Sequence, residues 1–89
     1  MHQDEECRAY ILIKVDSGAD LHVFEKIREL QHKYPISEVA TLYGDYDVLV
    51  KVKMHRCDDL KSFVFNGLRP IRGIMETQTL ISAKAVELR

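Results

Sequence analysis

Apolar residues along this chain alternate singly, then recur at three- and four-residue intervals, then alternate again. From Ala9 to Val15 the run is β-rich and too short for a typical helix, which predicts a strand. Ala9, Ile11, Ile13 and Val15 face one way, and Tyr10, Leu12 and Lys14 the other. The segment Ser17-Gly18-Ala19-Asp20 breaks the strand and offers Ser17 or Asp20 as a helix N-cap. Leu21, Phe24, Ile27 and Leu30 then follow helical spacing, with Val23 widening the stripe. Pro35 stops that helix.

A second strand is expected from Ile36 or Glu38 to Tyr43, and a third from Asp47 to Lys53. Gly44-Asp45 between them fits a two-residue type II′ turn, which sets Thr41 opposite Val48 and Val39 opposite Val50. Val48, Val50 and Val52 then share one face, while Ala40, Leu42, Leu49 and Lys51 share the other, with Asp47 at its rim. Asp58 and Asp59 suit a helix start. Leu60, Phe63, Val64 and Leu68 give a second amphipathic helix, with Gly67 and Pro70 marking its end. A fourth strand is expected from Met75 to about Ala85, with Thr77 and Thr79 on one face and Gln78 and Leu80 on the other.

The order βαββαβ is the α+β, ferredoxin-like arrangement. Right-handed crossovers give a four-stranded antiparallel sheet in the order 4-1-3-2 with both helices on one face. The helix-free face nevertheless carries Tyr10, Leu12, Ala40, Leu42 and Leu49. Half-exposed sheets ordinarily turn polar residues outward. These five residues therefore predict a homodimer, sheet against sheet, as a dimeric α+β barrel or sandwich. The alternative is that Lys14, Lys51 and Lys53 screen the patch.

Composition narrows the function. Eighty-nine residues, 46% hydrophobic and 30% charged, make a single globular domain. No apolar run approaches the roughly 20 residues of a membrane span. The polar start, Met1 to Glu6, is unlike a targeting peptide, so the expected location is the cytoplasm. A net charge of −1 gives no basic face for nucleic acid, Arg69-Pro70-Ile71-Arg72 being the largest local excess. Cys7 and Cys57 are expected to be reduced, as lone cytosolic cysteines usually are. His2, His22, His32 and His55 do not combine with them into paired metal-ligand spacings, so no metal or other cofactor is expected.

The richest chemistry lies in Tyr43, Gly44, Asp45, Tyr46 and Asp47, just before an apolar strand. Backbone N–H groups beside a glycine, a carboxylate and aromatic hydroxyls suit a small zwitterion such as an amino acid. An ordinary tight turn with cross-strand tyrosine packing explains the same residues.

Four pieces in order resemble one known family across Ala9 to Leu88: the strand Ala9 to Val15; Ser37 to Val52 with its Gly-x-Tyr-Asp at Gly44, Tyr46 and Asp47; the helix Leu60 to Leu68; and Leu68 to Thr79, where Gly73 and Ile74 precede Thr77 and Thr79. The chain is similar to the RAM domain, the effector-binding module of Lrp/AsnC (feast/famine) transcription regulators. Residues 1–8 would be a polar tail and 9–88 the RAM domain, without the family's N-terminal helix-turn-helix. The resemblance implies amino-acid binding where dimers meet, at Tyr43, Gly44, Asp45, Tyr46, Asp47, Thr77 and Thr79. It implies assembly from tetramer to decamer, pairing with full-length regulators, no direct DNA contact and no catalytic residue. A different class, a small dimeric α+β-barrel enzyme of monooxygenase or isomerase type, needs a histidine inside the sheet cavity. An ACT-type regulatory domain shares the fold but expects its ligand glycine after the first strand, where Gly18 stands.

Overall fold

In the computed structural model, which describes residues 6–88, β1 spans Cys7–Val15 and is paired on both sides, so its N–H and C=O groups are largely satisfied by neighbouring strands. The remaining elements are α1 (Asp20–Glu29), continued by a 3₁₀ turn at Leu30–His32, β2 (Ile36–Thr41), β3 (Val48–Met54), α2 (Asp58–Ser62), continued as a π-helix through Phe63–Leu68, and β4 (Ile74–Ile81). The sheet is antiparallel in the order β2-β3-β1-β4, the ferredoxin-like arrangement. Read from the other edge it is the expected 4-1-3-2. His2 and most of the predicted tail lie outside the described residues.

The strand register follows from which side chains must be buried. Ala9, Ile11 and Ile13 pair with Val52, Val50 and Val48, and all six are buried. Thr41 pairs with Val48 and Val39 with Val50, as the alternation requires. Val23 and Ile27 of α1 and Leu60, Phe63 and Leu68 of α2 and its continuation close the core from the same side. Among the described residues no polar or charged side chain is buried there.

Several local expectations are corrected. Neither Ser17 nor Asp20 caps α1: Ala19 occupies the N-cap without a side-chain hydrogen bond, and Asp20 is the first helical residue. Leu21 is 70% exposed. It sits about 200° around the helix from Val23, and Val23 with Ile27 faces the sheet. β1 begins at Cys7, before Ala9, and β4 ends at Ile81 rather than near Ala85. Gly67 does not end the second helix. It is buried under Tyr34, and an added Cβ would lie 3.1 Å from Tyr34 Cε2 and 3.3 Å from Phe63 Cδ1. The π-helical bond Arg69 N–H to Val64 O at 2.9 Å marks the turn that carries it there.

Cys7 and Cys57 are joined in a disulfide, contrary to the reduced state expected. The β1–β3 register ends at Cys7 opposite Met54, and the turn that follows brings Cys57 back over it. Their Cα atoms stand 5.2 Å apart, inside the roughly 4.4–6.8 Å that a bridge requires.

Candidate functional site

The β2–β3 connection is longer than a two-residue turn. Strand pairing stops at Thr41 and Val48, and one further bond, Leu42 N–H to Asp47 O at 2.8 Å, closes a loop over residues 43–46. Gly44 has φ +133, a conformation that a side chain disfavours, and a Cβ there would meet no atom within 4 Å. The glycine is needed for its backbone, and the surrounding space is open.

Asp47 ties this loop to the end of β1. Its N–H donates to Ile13 O at 2.9 Å, and its Oδ2 accepts from Val15 N–H at 2.9 Å. Since β3 begins at Val48, the Val15 amide lies one step past the end of that ladder. The carboxylate supplies the acceptor that a further strand residue would have offered. Tyr46 crosses the helix-free face, its hydroxyl donating to Gln78 Oε1 on β4 at 2.6 Å. Lys14 lies between, with Nζ 2.6 Å from Asp45 O and 5.7 Å from the Tyr46 ring centroid. Tyr43 projects fully into solvent, and the Asp45 side chain is exposed.

Gly44, Asp45, Tyr46 and Asp47 are thus gathered at one end of the helix-free face with Lys14 and Gln78. Thr77 and Thr79 are placed elsewhere: they pair with Ile13 and Ile11, so they belong to the helix side of edge strand β4. Thr77 lines a cavity of about 400 Å³ with Arg69 and Glu76. Lys14 and Gln78 were not among the expected site residues. The signal for Gln78 was present: it stands between the two threonines, so alternation puts it on the opposite face.

The five apolar residues expected at a dimer interface share that helix-free face. Leu12 pairs with Leu49 and Leu49 with Ala40 across three strands, beside Tyr10 and Leu42. All five are half-buried in the single chain. Lys51 Nζ lies 6.0 Å from the Tyr10 ring centroid and 3.3 Å from Glu38 Oε1.

With this geometry in view, the chain resolves first into a class, the regulatory ligand-binding domains of transcription regulators. The family description that matches residues 8–89 is the Lrp/AsnC ligand binding domain, and the chain belongs to that family. The HTH-type transcriptional regulator FL11 of Pyrococcus furiosus is 38% identical over 77 residues, 85% of this chain and 48% of that protein. The chain spans about half the length of the curated relatives it matches. A solved structure from Thermus thermophilus superimposes with a TM-score of 0.82 at 26% identity, covering 92% of this chain and 99% of that one. A transcriptional regulator of Neisseria meningitidis, solved as a complex with L-Met, shares the fold at a TM-score of 0.73 and 19% identity, over 92% of this chain and 53% of that one. No helix among the described residues is long and apolar enough to cross a membrane.

Proposed function

We propose that this chain is an effector-binding and oligomerisation module for the transcriptional regulation of amino acid metabolism, with a small amino acid as its ligand. The observation that carries the reading is the juxtaposition on one face of an apolar patch, Leu12, Ala40, Leu42 and Leu49, with the loop that holds Asp47, Tyr46 and Lys14. A second copy seated on the patch buries it, giving a homodimer, and further association forms a tetramer or larger ring up to a decamer. The loop then borders a cleft between subunits.

Chemistry supports the ligand class. Asp47 uses Oδ2 for Val15, so Oδ1 is the oxygen for an ammonium. The backbone around Gly44, whose side is open, suits a carboxylate. Thr77 and Thr79 enter the site only if a neighbouring dimer brings β4 edges against this loop. A ligand bridging subunits favours the assembled state by mass action, which couples effector concentration to oligomer population. The same interface suits pairing with full-length regulators in the cytoplasm, with DNA contacted by a segment other than these residues.

An enzyme of the same fold is the weaker reading. His22, His32 and His55 are exposed, and His55 lines a cleft with Tyr34 and Met54, which pack toward the helices.

A thermal-shift screen with the twenty amino acids, repeated on Asp47→Asn, tests the proposal. The amide oxygen keeps the Val15 acceptor while the charge is lost. Expected is a small set of stabilising amino acids whose shift disappears in the variant; shifts that persist undiminished would remove Asp47 from the site.

A further inference from the structure

At the end of the helix-free face remote from the Gly44 loop, a cleft of about 500 Å³ is lined by Arg8, Tyr10, Ser37, Lys51, Lys53 and Glu87. Arg8 and Lys53 are register partners on β1 and β3, so their side chains leave the sheet together on one face. Both approach a single atom. Arg8 Nη1 lies 4.0 Å and Lys53 Nζ 3.8 Å from Glu87 Oε2, each beyond hydrogen-bond distance. Glu6 Oε1 lies 3.6 Å from Arg8 Nε on the other edge of the guanidinium.

The carboxylate comes from a segment with little else to hold it. Beyond Ser82, whose N–H donates to Arg8 O at 2.8 Å, residues 83–88 form no regular structure. Val86 and Leu88 on either side of Glu87 are 70% and 88% exposed. No buried apolar anchor fixes the segment, and the Glu87 side chain itself is 76% exposed. Two cations placed side by side by strand pairing are therefore bridged by one weakly seated oxygen of the same chain.

We propose that Arg8 and Lys53 form an oxyanion-binding site for a small carboxylate or phosphate ligand, and that residues 83–88 are a strap whose Glu87 occupies the site until the ligand displaces it. An untethered oxyanion can present oxygens to both cations at bonding distance at once, which the tethered Glu87 carboxylate does not. Arg8 offers the paired N–H geometry suited to carboxylate and phosphate alike. The strap competes as an intramolecular ligand, so external anions bind less tightly than the two cations alone allow. The site lies beside Tyr10 at the border of the apolar patch and stands independently of the Gly44–Asp47 reading.

The test is calorimetric titration of inorganic phosphate and, separately, citrate at low ionic strength, with sodium chloride as the blank. Proteins are the wild type, Glu87→Gln, Arg8→Gln and Lys53→Gln, each checked by thermal melting. Expected is saturable heat with at least one anion, several-fold tighter in Glu87→Gln and lost in the other two variants. Preference for phosphate assigns a phosphorylated ligand and preference for citrate a carboxylic acid. Equal affinity in wild type and Glu87→Gln, undiminished binding in Arg8→Gln, or no saturation in Glu87→Gln overturns the proposal. An amino-acid thermal shift retained in Arg8→Gln separates such a failure from that of the effector site.

Discussion

The hydroxyl of Tyr46 donates to Gln78 Oε1 at 2.6 Å, although the two residues are 32 positions apart and β3, which follows Tyr46, is not a neighbour of β4 in the sheet. The contact spans β1 and ties the loop before β3 to the far edge strand. It lies at the surface, so its removal costs little global stability. Tyr46→Phe is expected to lower unfolding free energy by about 0.5–1 kcal/mol, while amide exchange of Asp45 and Tyr46 accelerates more than that of the core strands. Hydrogen exchange read by NMR checks this, and unchanged exchange in the loop would show that the bond does not order it.

Asp47 has a structural duty whatever it binds. Asp47→Ala leaves the partly buried Val15 N–H without its acceptor, with an expected cost of about 1–3 kcal/mol. Asp47→Asn retains an oxygen there and is expected to cost less than the alanine change. Urea unfolding of both variants measures the difference; equal costs would mean that the charge, rather than the acceptor, matters.

The disulfide between Cys7 and Cys57 spans a sequence separation of 50 residues. In the chain-entropy account a loop of that size contributes about 4 kcal/mol by restricting the unfolded chain. Reduction with a dithiol is expected to lower Tm by roughly 15–30 °C. Cys57→Ser, chosen because Cys57 is exposed while Cys7 is buried, should melt at the reduced protein's temperature and no longer respond to reductant. Melting scans with and without reductant give the answer.

Two glycines separate backbone strain from steric conflict. Gly18 has φ +81 with nothing within 4 Å of an added Cβ, whereas Gly73 has φ +103 and its Cβ would stand 3.0 Å from Ala19 Cβ and 3.3 Å from Val23 Cγ2. Gly18→Ala carries the conformational penalty alone, about 1 kcal/mol. Gly73→Ala adds a clash against α1 and is expected to cost roughly 2–3 kcal/mol. Chemical denaturation of the pair orders them, and the reverse order would contradict the packing described.

The β2–β3 register was legible because a short connection sets Thr41 opposite Val48 and Val39 opposite Val50, and alternation then puts Val48, Val50 and Val52 on one face. The pairing of Ile11 with Val50 needed the fold, since a slip of two residues keeps the same faces. The edge of the α1 stripe was less legible. Leu21, Phe24 and Ile27 fit a 3.6 period as well as Val23 and Ile27 do, and only the sheet beneath decides that Val23 faces inward. The cysteine pairing needed the fold itself, since nothing local joins the start of β1 to the turn before α2. The loop residues of the candidate site stood out by composition. Gln78 and Lys14 did not, because their placement beside Tyr46 depends on a register across three strands.

The dimer is the consequence of the helix-free face that is simplest to break. Leu49 sits at the centre of the patch, paired with Leu12 on one side and Ala40 on the other, and it remains half-exposed in the single chain. A lysine there can extend to solvent in a monomer, so the fold tolerates it at a cost of no more than about 1 kcal/mol. In a sheet-on-sheet dimer the same charge is enclosed against its symmetry mate or against apolar residues, where an unpaired charge costs several kcal/mol. Leu49→Lys is therefore expected to reduce the mass measured by light scattering to that of one chain, with the far-UV spectrum unchanged. Leu21→Lys, on the exposed side of α1, leaves the mass as in the wild type. If both variants keep the wild-type mass, whether one chain or several, the patch is not where copies meet, and Lys14, Lys51 and Lys53 are what screen it.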